Sequence, residues 1–280
     1  MKETEKTFKH KKKFGQNFLT DSKICEKIVR NADVYGKDVI EIGPGHGILT
    51  KELLKHANCV VAVEKDLDLE QTLKEKFSYA KNLHLVFDDF LKLDLKKLFL
   101  EFNFGENVSF CANLPFYITS PIIVKILQSG LKINSLTLMV QKEMAQRLVA
   151  KPGSRNCGAI SVFVHYFCEP KILFNVLKGS FFPAPKVDAS VVKMKIKKEK
   201  YFYVKDEEMF FMFVRAAFSS RRKLLINSVS KFLNIKKETL KNILQNFKIS
   251  SFKRAEELSL FEFVKLYNFL EEKELFKTKN

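Results

Sequence analysis

The sequence predicts an α/β protein, a doubly wound and largely parallel sheet followed by a small all-helical C-terminal domain. Three observations carry that expectation. Between residues 38 and 150, short apolar runs alternate with segments of helical spacing. That alternation implies βαβ units, since a parallel neighbour needs a crossover long enough for a helix. From about residue 160 to 197 three apolar runs follow with no full-length helix between them, as expected for a hairpin finishing the sheet edge. Beyond residue 200 every patterned segment has helical spacing.

Taken in order, residues 1–13 are Lys-rich and polar, a basic arm. Thr20-Asp21 is a helix-capping pair, with Ile24, Ile28 and Val29 on one face behind it. "DVIEIG" (38–43) is the first strand and "ILTKELLKHA" (48–57) its helix. "CVVAVEKD" (59–66) is the second strand, followed by helical "LDLEQTLKEKF" (67–77). "NLHLVFDD" (82–89) and "NVSFCANLP" (107–115) are the third and fourth strands, with "PIIVKILQSG" (121–130) helical behind them. "SLTLMVQ" (135–141) is the fifth strand and "KEMAQRLVA" (142–150) a helix. "ISVFVHYF" (160–167), "KILFNVL" (171–177) and "ASVVKMKIK" (189–197) read as strands. Four helices close the chain, beginning near residues 207, 223, 237 and 259. The lysine run from Lys193 to Lys200 marks a boundary, giving a main domain over 14–200 and a helical domain over 201–280.

A length of 280 residues suits that division. The formal charge of +17 calls for a polyanionic partner, nucleic acid or an anionic membrane surface. Part of the lysine excess reflects a composition also rich in Phe, Asn and Ile. Cys25, Cys59, Cys111, Cys157 and Cys168 are scattered and show no C-x-x-C spacing. Neither a disulfide framework nor a metal site is expected, and a reducing compartment fits. No apolar run approaches the roughly 18 residues of a membrane span, and the charged N-terminus has no secretory h-region. The expectation is a soluble, cytoplasmic monomer.

Four strand ends carry the candidate chemistry. Glu41-Ile-Gly43-Pro-Gly45-His-Gly47 leaves the first strand and enters a helix. Its glycines allow a sharp turn and close approach of a ligand. The spacing is not that of a triphosphate-binding loop, and no lysine follows. Glu64, at the end of the second strand, suits the ribose hydroxyls of an adenosine cofactor. Asp88-Asp89 end the third strand, where one carboxylate can accept from an adenine amine. Together these describe a pocket for either S-adenosylmethionine or a dinucleotide.

The fourth strand ends in Asn113-Leu114-Pro115-Phe116. Pro115 holds Leu114 extended. The Asn113 side-chain oxygen and the backbone carbonyls of Asn113 and Leu114 are then acceptors suited to the two hydrogens of an exocyclic amine. Phe116 offers a face for stacking a base. Hydride transfer has no use for this arrangement, whereas methyl transfer to a base amine does.

In six pieces the chain resembles the bacterial small-subunit (16S) ribosomal RNA adenine N6,N6-dimethyltransferases. These are Phe14-Gly-Gln-Asn17-Phe-Leu19, the glycine turn, Asp89-Phe-Leu-Lys92, Asn113-Leu-Pro-Phe116, Phe181-Phe-Pro-Ala-Pro-Lys-Val-Asp188 and "FSSRRKLLINS" (218–228). The resemblance runs from about Phe14 to the C-terminus. It implies a seven-stranded, Rossmann-like S-adenosylmethionine-dependent methyltransferase domain, and a small-subunit rRNA or subunit-precursor substrate. It also implies that Asn17, Leu19, Gly43, Gly45, Glu64, Asp89 and Asn113 hold the cofactor. Asn113, Leu114, Phe116 and Phe181 would form the catalytic set, with Phe181 and Phe116 sandwiching a flipped adenine. The family usually has Tyr at position 116, so a role for that hydroxyl is in question. Tyr117 is expected to point elsewhere. Arg221, Arg222, Lys223, Lys151 and Arg155 are candidate phosphate contacts, as is the arm from Lys9 to Lys13.

Three other functions compete with this one. A large-subunit rRNA adenine methyltransferase of the antibiotic-resistance type shares the core, but the 181–188 and 218–223 segments favour the small subunit. A non-catalytic RNA-binding assembly or transcription factor would not need Glu64, Asp89 and Asn113 together. An NAD-type oxidoreductase would need G-x-G-x-x-G spacing.

Overall fold

The computed structural model describes residues 17–199, 201–220 and 223–276. The basic arm, Arg221, Arg222 and the side chain of Phe116 lie outside the described residues.

Seven strands form one sheet: β2 (Asp38–Ile42), β3 (Cys59–Glu64), β4 (Leu83–Phe87), β5 (Val108–Asn113), β6 (Ile133–Gln141), β7 (Cys168–Val176) and β9 (Ala189–Ile196). Their spatial order is β4-β3-β2-β5-β6-β9-β7. Neighbours from β4 through β6 are parallel, so their carboxyl ends share one edge. Strand β2 lies centrally, with Glu41 beside Ala62 on one flank and Cys111 on the other. A strand covered on both faces reads as a continuous apolar run, and Val39, Ile40 and Ile42 are all buried. A separate two-stranded ribbon pairs β1 (Phe18–Leu19) antiparallel with β8 (Phe181–Phe182).

The chain forms two compact units. One takes in the chain up to Ala145 together with Ile172–Lys193, and the other Gln146–Lys171 with the chain from Met194 onward. In the first unit α1 (Ser22–Asn31) precedes the sheet, and the crossovers include α2 (Ile48–Leu53), α3 (Glu70–Lys76), α4 (Leu95–Glu101) and α5 (Thr119–Leu127). Asp21 caps α1, its carboxylate accepting from the Lys23 N–H at 2.9 Å. Thr20 does something else. Its N–H and its hydroxyl both donate to the Ser180 carbonyl at 3.0 Å, lengthening the β1–β8 ribbon. Cys25, Ile28 and Val29 of α1 join Leu49 and Leu53 of α2 in one buried cluster with Val39 and Val60. Each such side chain contributes about 1.5–3 kcal/mol on leaving water.

After α6 (Lys142–Val149), the second unit is built on helices: α7 (Ala159–Phe167), α8 (Glu207–Ala217), α9 (Leu225–Leu233), α10 (Lys237–Asn246) and α11 (Leu260–Glu272). Asp206 caps α8 by accepting from Met209 N–H at 2.9 Å, with Glu207 and Glu208 in the first turn. Ser259 and Glu262 form a reciprocal capping box on α11. Phe210, Phe211, Phe213, Phe263 and Tyr267 are almost fully buried and pack ring against ring.

One expectation is overturned here. "ISVFVHYF" is not a strand but helix α7. Its buried residues, Ser161, Val162, Phe163, Val164 and Tyr166, are nearly consecutive instead of alternating. A helix apolar on most sides is one that is buried, and a short apolar run does not by itself separate that case from a buried strand. The helix start is fixed by polar bonds. The Gly158 N–H donates to the Ser161 hydroxyl at 2.9 Å, which donates in turn to the Arg147 carbonyl at 2.6 Å. Among the described residues no helix is long and apolar enough to cross a membrane.

Candidate active site

A cleft of about 1230 Å³, open to solvent, lies at the carboxyl edge of β2 to β5 within the first unit. Asn17, Leu19, Gly43, Gly45, Glu64, Asp89, Asn113, Leu114 and Phe181 all line it. Ligands of open α/β sheets bind at this edge because the strand-to-helix loops there are free to carry function. Lys151, Arg155 and Lys223 are exposed residues of the second unit.

The glycine turn follows from backbone geometry. Gly43, Gly45 and Gly47 have φ of +69°, +56° and +76°, which L residues rarely adopt. A Cβ on Gly43 would meet nothing within 4 Å. This position therefore leaves open space where the cleft passes the backbone. A Cβ on Gly45 would strike the Phe18 ring at 2.9 Å.

Glu64 is buried and holds this turn to β3. Its Oε2 accepts from the Gly45 N–H at 3.0 Å, and its Oε1 from the Lys65 and Asp66 N–H groups at 2.9 and 2.8 Å. Burial pushes its pKa up, and the three backbone donors pull against that shift. A carboxylate has about four acceptor sites, so one remains on Oε2. Asp89 is also engaged. Its carboxylate meets the Lys65 ammonium at 2.8 Å and accepts from the Leu91 N–H at 3.0 Å. The Lys65 hydrogen bond above all holds the Asp89 pKa below the ordinary carboxylate value. Lys125 of α5 donates to the Leu91 carbonyl at 2.8 Å and also to that of Leu93, pinning the Asp89 loop to the helix behind Asn113.

At the end of β5 the Asn113 amide donates to the Asn17 carbonyl at 3.3 Å. With its nitrogen so engaged, the amide oxygen is the end left to accept. The Leu114 N–H continues the ladder to the Met139 carbonyl at 3.2 Å. The Pro115 carbonyl accepts from Ile118 at 3.2 Å in the 3-10 turn Phe116–Ile118. No donor among the described residues reaches the Leu114 carbonyl. Phe181 is buried at the cleft wall, 4% exposed. Tyr117, expected to point elsewhere, lines the cleft and is 60% exposed. Tyr117 sits in a 3-10 turn, which advances about 120° per residue and carries the side chain to the cleft.

Glu41 was not singled out as a functional residue, yet it is the least satisfied polar group here. It is 1% exposed, lines the cleft, and its Oε2 has no hydrogen-bond partner among the described residues. Burial pushes its pKa up to about 8, the Thr50 hydroxyl easing this and the Glu64 charge adding to it. The available signal was a charged residue inside the apolar run of a central strand. Between its ordinary value of 4.5 and about 8, the folded chain keeps a proton that the unfolded chain has lost. Stability from this group is therefore full below pH 4.5 and falls as pH rises towards 8. Glu41→Gln should flatten that fall and gain on the order of a few kcal/mol on the parent protein at pH 8. Urea midpoints of both proteins at pH 5 and pH 8 check this, and parallel losses would refute it.

The sheet order, the glycine turn and the acidic strand ends define the class, a methyltransferase-type α/β domain with a helical C-terminal region. The chain belongs to the ribosomal RNA adenine dimethylase family, whose model matches residues 7–271. It is 43% identical over 260 residues to the ribosomal RNA small subunit methyltransferase A of Clostridium botulinum (strain Kyoto / Type A2), covering 92% of this chain and 93% of that protein. To the protein of the same name from Caldanaerobacter subterraneus subsp. tengcongensis it is 43% identical, covering 94% and 97%. Among solved structures it is similar to a dimethyladenosine transferase from Plasmodium falciparum. There the TM-score is 0.75 and identity 26%, over 92% of this chain and 98% of that one. The 23S rRNA methyltransferase ErmE shares the fold, with a TM-score of 0.69 at 24% identity over 91% of this chain and 100% of that one.

Proposed function

We propose that this protein transfers methyl groups from S-adenosylmethionine to the N6 amines of two adjacent adenines in small-subunit rRNA. It would act in the cytoplasm, as a monomer, on a small-subunit precursor. The observation that carries the reading is the Asn113 amide, held by the Asn17 carbonyl with its oxygen left to accept, next to a Leu114 carbonyl with no donor. Two acceptors side by side fit the two hydrogens of an exocyclic amine.

The cleft fits the cofactor. Open space at Gly43 suits close passage of a ligand past the backbone. The remaining acceptor site on Glu64 suits a ribose hydroxyl, and the unpartnered Glu41 oxygen suits an ammonium group. Asn17, Leu19, Gly45 and Asp89 complete the proposed set. When bound, the cofactor supplies an electrophilic methyl on a sulfonium.

The chain's own part is positioning. Asn113 and Leu114 draw the amine towards tetrahedral geometry, aim its lone pair, and stabilise positive charge developing on nitrogen. The methylated amine is acidic and loses its proton without a strong base. Phe181 gives one wall for the base and Phe116 is proposed as the other, which requires the adenine to leave its stack. Lys151, Arg155, Arg221, Arg222 and Lys223 are proposed to grip phosphates. The proposed division of labour is an arm over 1–13, a catalytic domain over 14–200 and an RNA-contacting helical domain over 201–280.

Incubation with labelled cofactor and unmethylated small subunits should place label in small-subunit rRNA as dimethyladenosine. Label found only in large-subunit rRNA, or none at all, would sink the reading.

A further inference from the structure

Beside the cleft, in the same unit, is a second and shallower notch of about 860 Å³, open to solvent. Phe18, Leu19, Thr20, His46, Ile48, Lys76 and Phe182 line it. It exists because β1 and β8 pair with Phe18 opposite Phe182 and Leu19 opposite Phe181. Successive strand side chains point to opposite faces. Leu19 and Phe181 accordingly are buried and line the cleft, with Leu19 also reaching the notch, while Phe182 is 62% exposed and lines only the notch. Phe18 borders both cavities, packs on the His46 ring at 4.2 Å, and sits so close over Gly45 that any Cβ there would collide.

The polar element is Lys76, from the last turn of α3. Its ammonium donates to the His46 carbonyl at 2.6 Å. Partial burial, with Lys51 adding positive charge nearby, holds its pKa below the usual lysine value. No carboxylate pairs with Lys76 among the described residues, and no carboxylate lines the notch. A cation with no carboxylate beside it and one exposed aromatic ring, Phe182, fit one ligand chemistry, a flat base joined to a phosphate. An aliphatic ligand would leave the ammonium unused. The shared wall of Phe18, His46 and Ile48 puts any occupant next to the cleft.

We propose that this notch holds an unpaired nucleotide of the same RNA strand, flanking the adenine presented to Asn113, with its base on Phe182 and its phosphate on Lys76. The proposal rests on the function proposed above, and supplies the place where a neighbouring base waits while the first is modified.

The test measures binding of a short single-stranded adenine-containing RNA by the full chain, alongside calorimetry of S-adenosylmethionine binding. Phe182→Ala should weaken RNA binding about 5- to 100-fold, as loss of one stacked base does, with cofactor affinity unchanged. Phe182→Tyr should bind like the parent and Phe182→Leu should not. Lys76→Met should lower the salt dependence by about 0.7 in the log–log slope, the share of one phosphate on a single strand. Phe182→Ala should leave that slope alone. Unchanged RNA affinity in both Phe182→Ala and Lys76→Met overturns the proposal, as does a Phe182→Leu protein that binds normally or a parallel loss of cofactor affinity. Should the parent protein show these RNA effects yet label no small-subunit rRNA, the notch stands and the proposed function falls. Should it label small subunits while the variants bind RNA like the parent, the notch alone falls.

Discussion

Asn113→Ala should cost about 10²–10³ in the rate of methyl transfer under saturating conditions, the usual penalty for deleting one preorganised polar group that acts on transition-state charge. The substitution removes the amide oxygen proposed to hold the amine, and also the donor to the Asn17 carbonyl at 3.3 Å. The Gly43–Gly45 turn, Glu64 and Asp89 are untouched, so cofactor affinity should fall far less than kcat. Asn113→Asp separates the two jobs. It keeps an acceptor oxygen but faces the Asn17 carbonyl with a carboxylate that has nothing to donate, so it should not restore the rate. Single-turnover kinetics with calorimetric cofactor binding checks both. A rate for Asn113→Ala within tenfold of the parent would remove this residue from the chemistry.

The second large effect separates two glycines of one turn. In Gly47→Ala the new Cβ would lie 2.4 Å from Phe77 Cε2 and 2.7 Å from Cζ. That ring is 4% exposed and packed with Leu69 and Leu73, so it cannot swing clear. Left-handed backbone costs about 1–2 kcal/mol for a residue with a Cβ, and overpacking about 1–3 more. The melting temperature should therefore drop by about 5–15 °C. In Gly43→Ala the Cβ meets nothing, and only the backbone cost applies. Its effect should fall on the ligand instead, with cofactor binding weakened about tenfold or more and melting lowered by only a few degrees. If Gly43→Ala binds cofactor like the parent, the turn is structural at both positions.

Much of this arrangement was legible in the residues because parallel sheets write their chemistry at one edge. The runs ending in Gly43, Glu64, Asp89 and Asn113 are apolar strands followed by polar or glycine ends, and all four line one cleft. What escaped depends on contacts that no spacing encodes. The Lys65–Asp89 ion pair joins β3 to the loop after β4, and Lys125 reaches Leu91 across 34 residues. Neither leaves a periodic trace. "ISVFVHYF" was misread because β-branched and aromatic residues fill a helix that is buried on most sides. Tyr117, expected to point elsewhere, lines the cleft because Pro115 leads into a 3-10 turn that nothing in the spacing of its neighbours announces. Glu41 gives no periodic signal of its own: it opens the glycine motif, and only the fold shows its buried carboxyl group with an oxygen unpartnered among the described residues.

The ribbon of β1 and β8 has a consequence for how the protein is made. It joins Phe18–Leu19 to Phe181–Phe182, and Thr20 fastens the join at Ser180, 160 residues away in sequence. Pairings so distant in the chain form slowly, because the entropy of closing the loop is lost before contact returns it. Strands β2 to β5 and the glycine turn lie within residues 38–113, so all their residues are made well before residue 182. The wall bearing Leu19 and Phe181 needs the chain through residue 182. Synthesis therefore runs well ahead of competence, and an incomplete chain carries the strand ends of the pocket without the ribbon that turns them into a site.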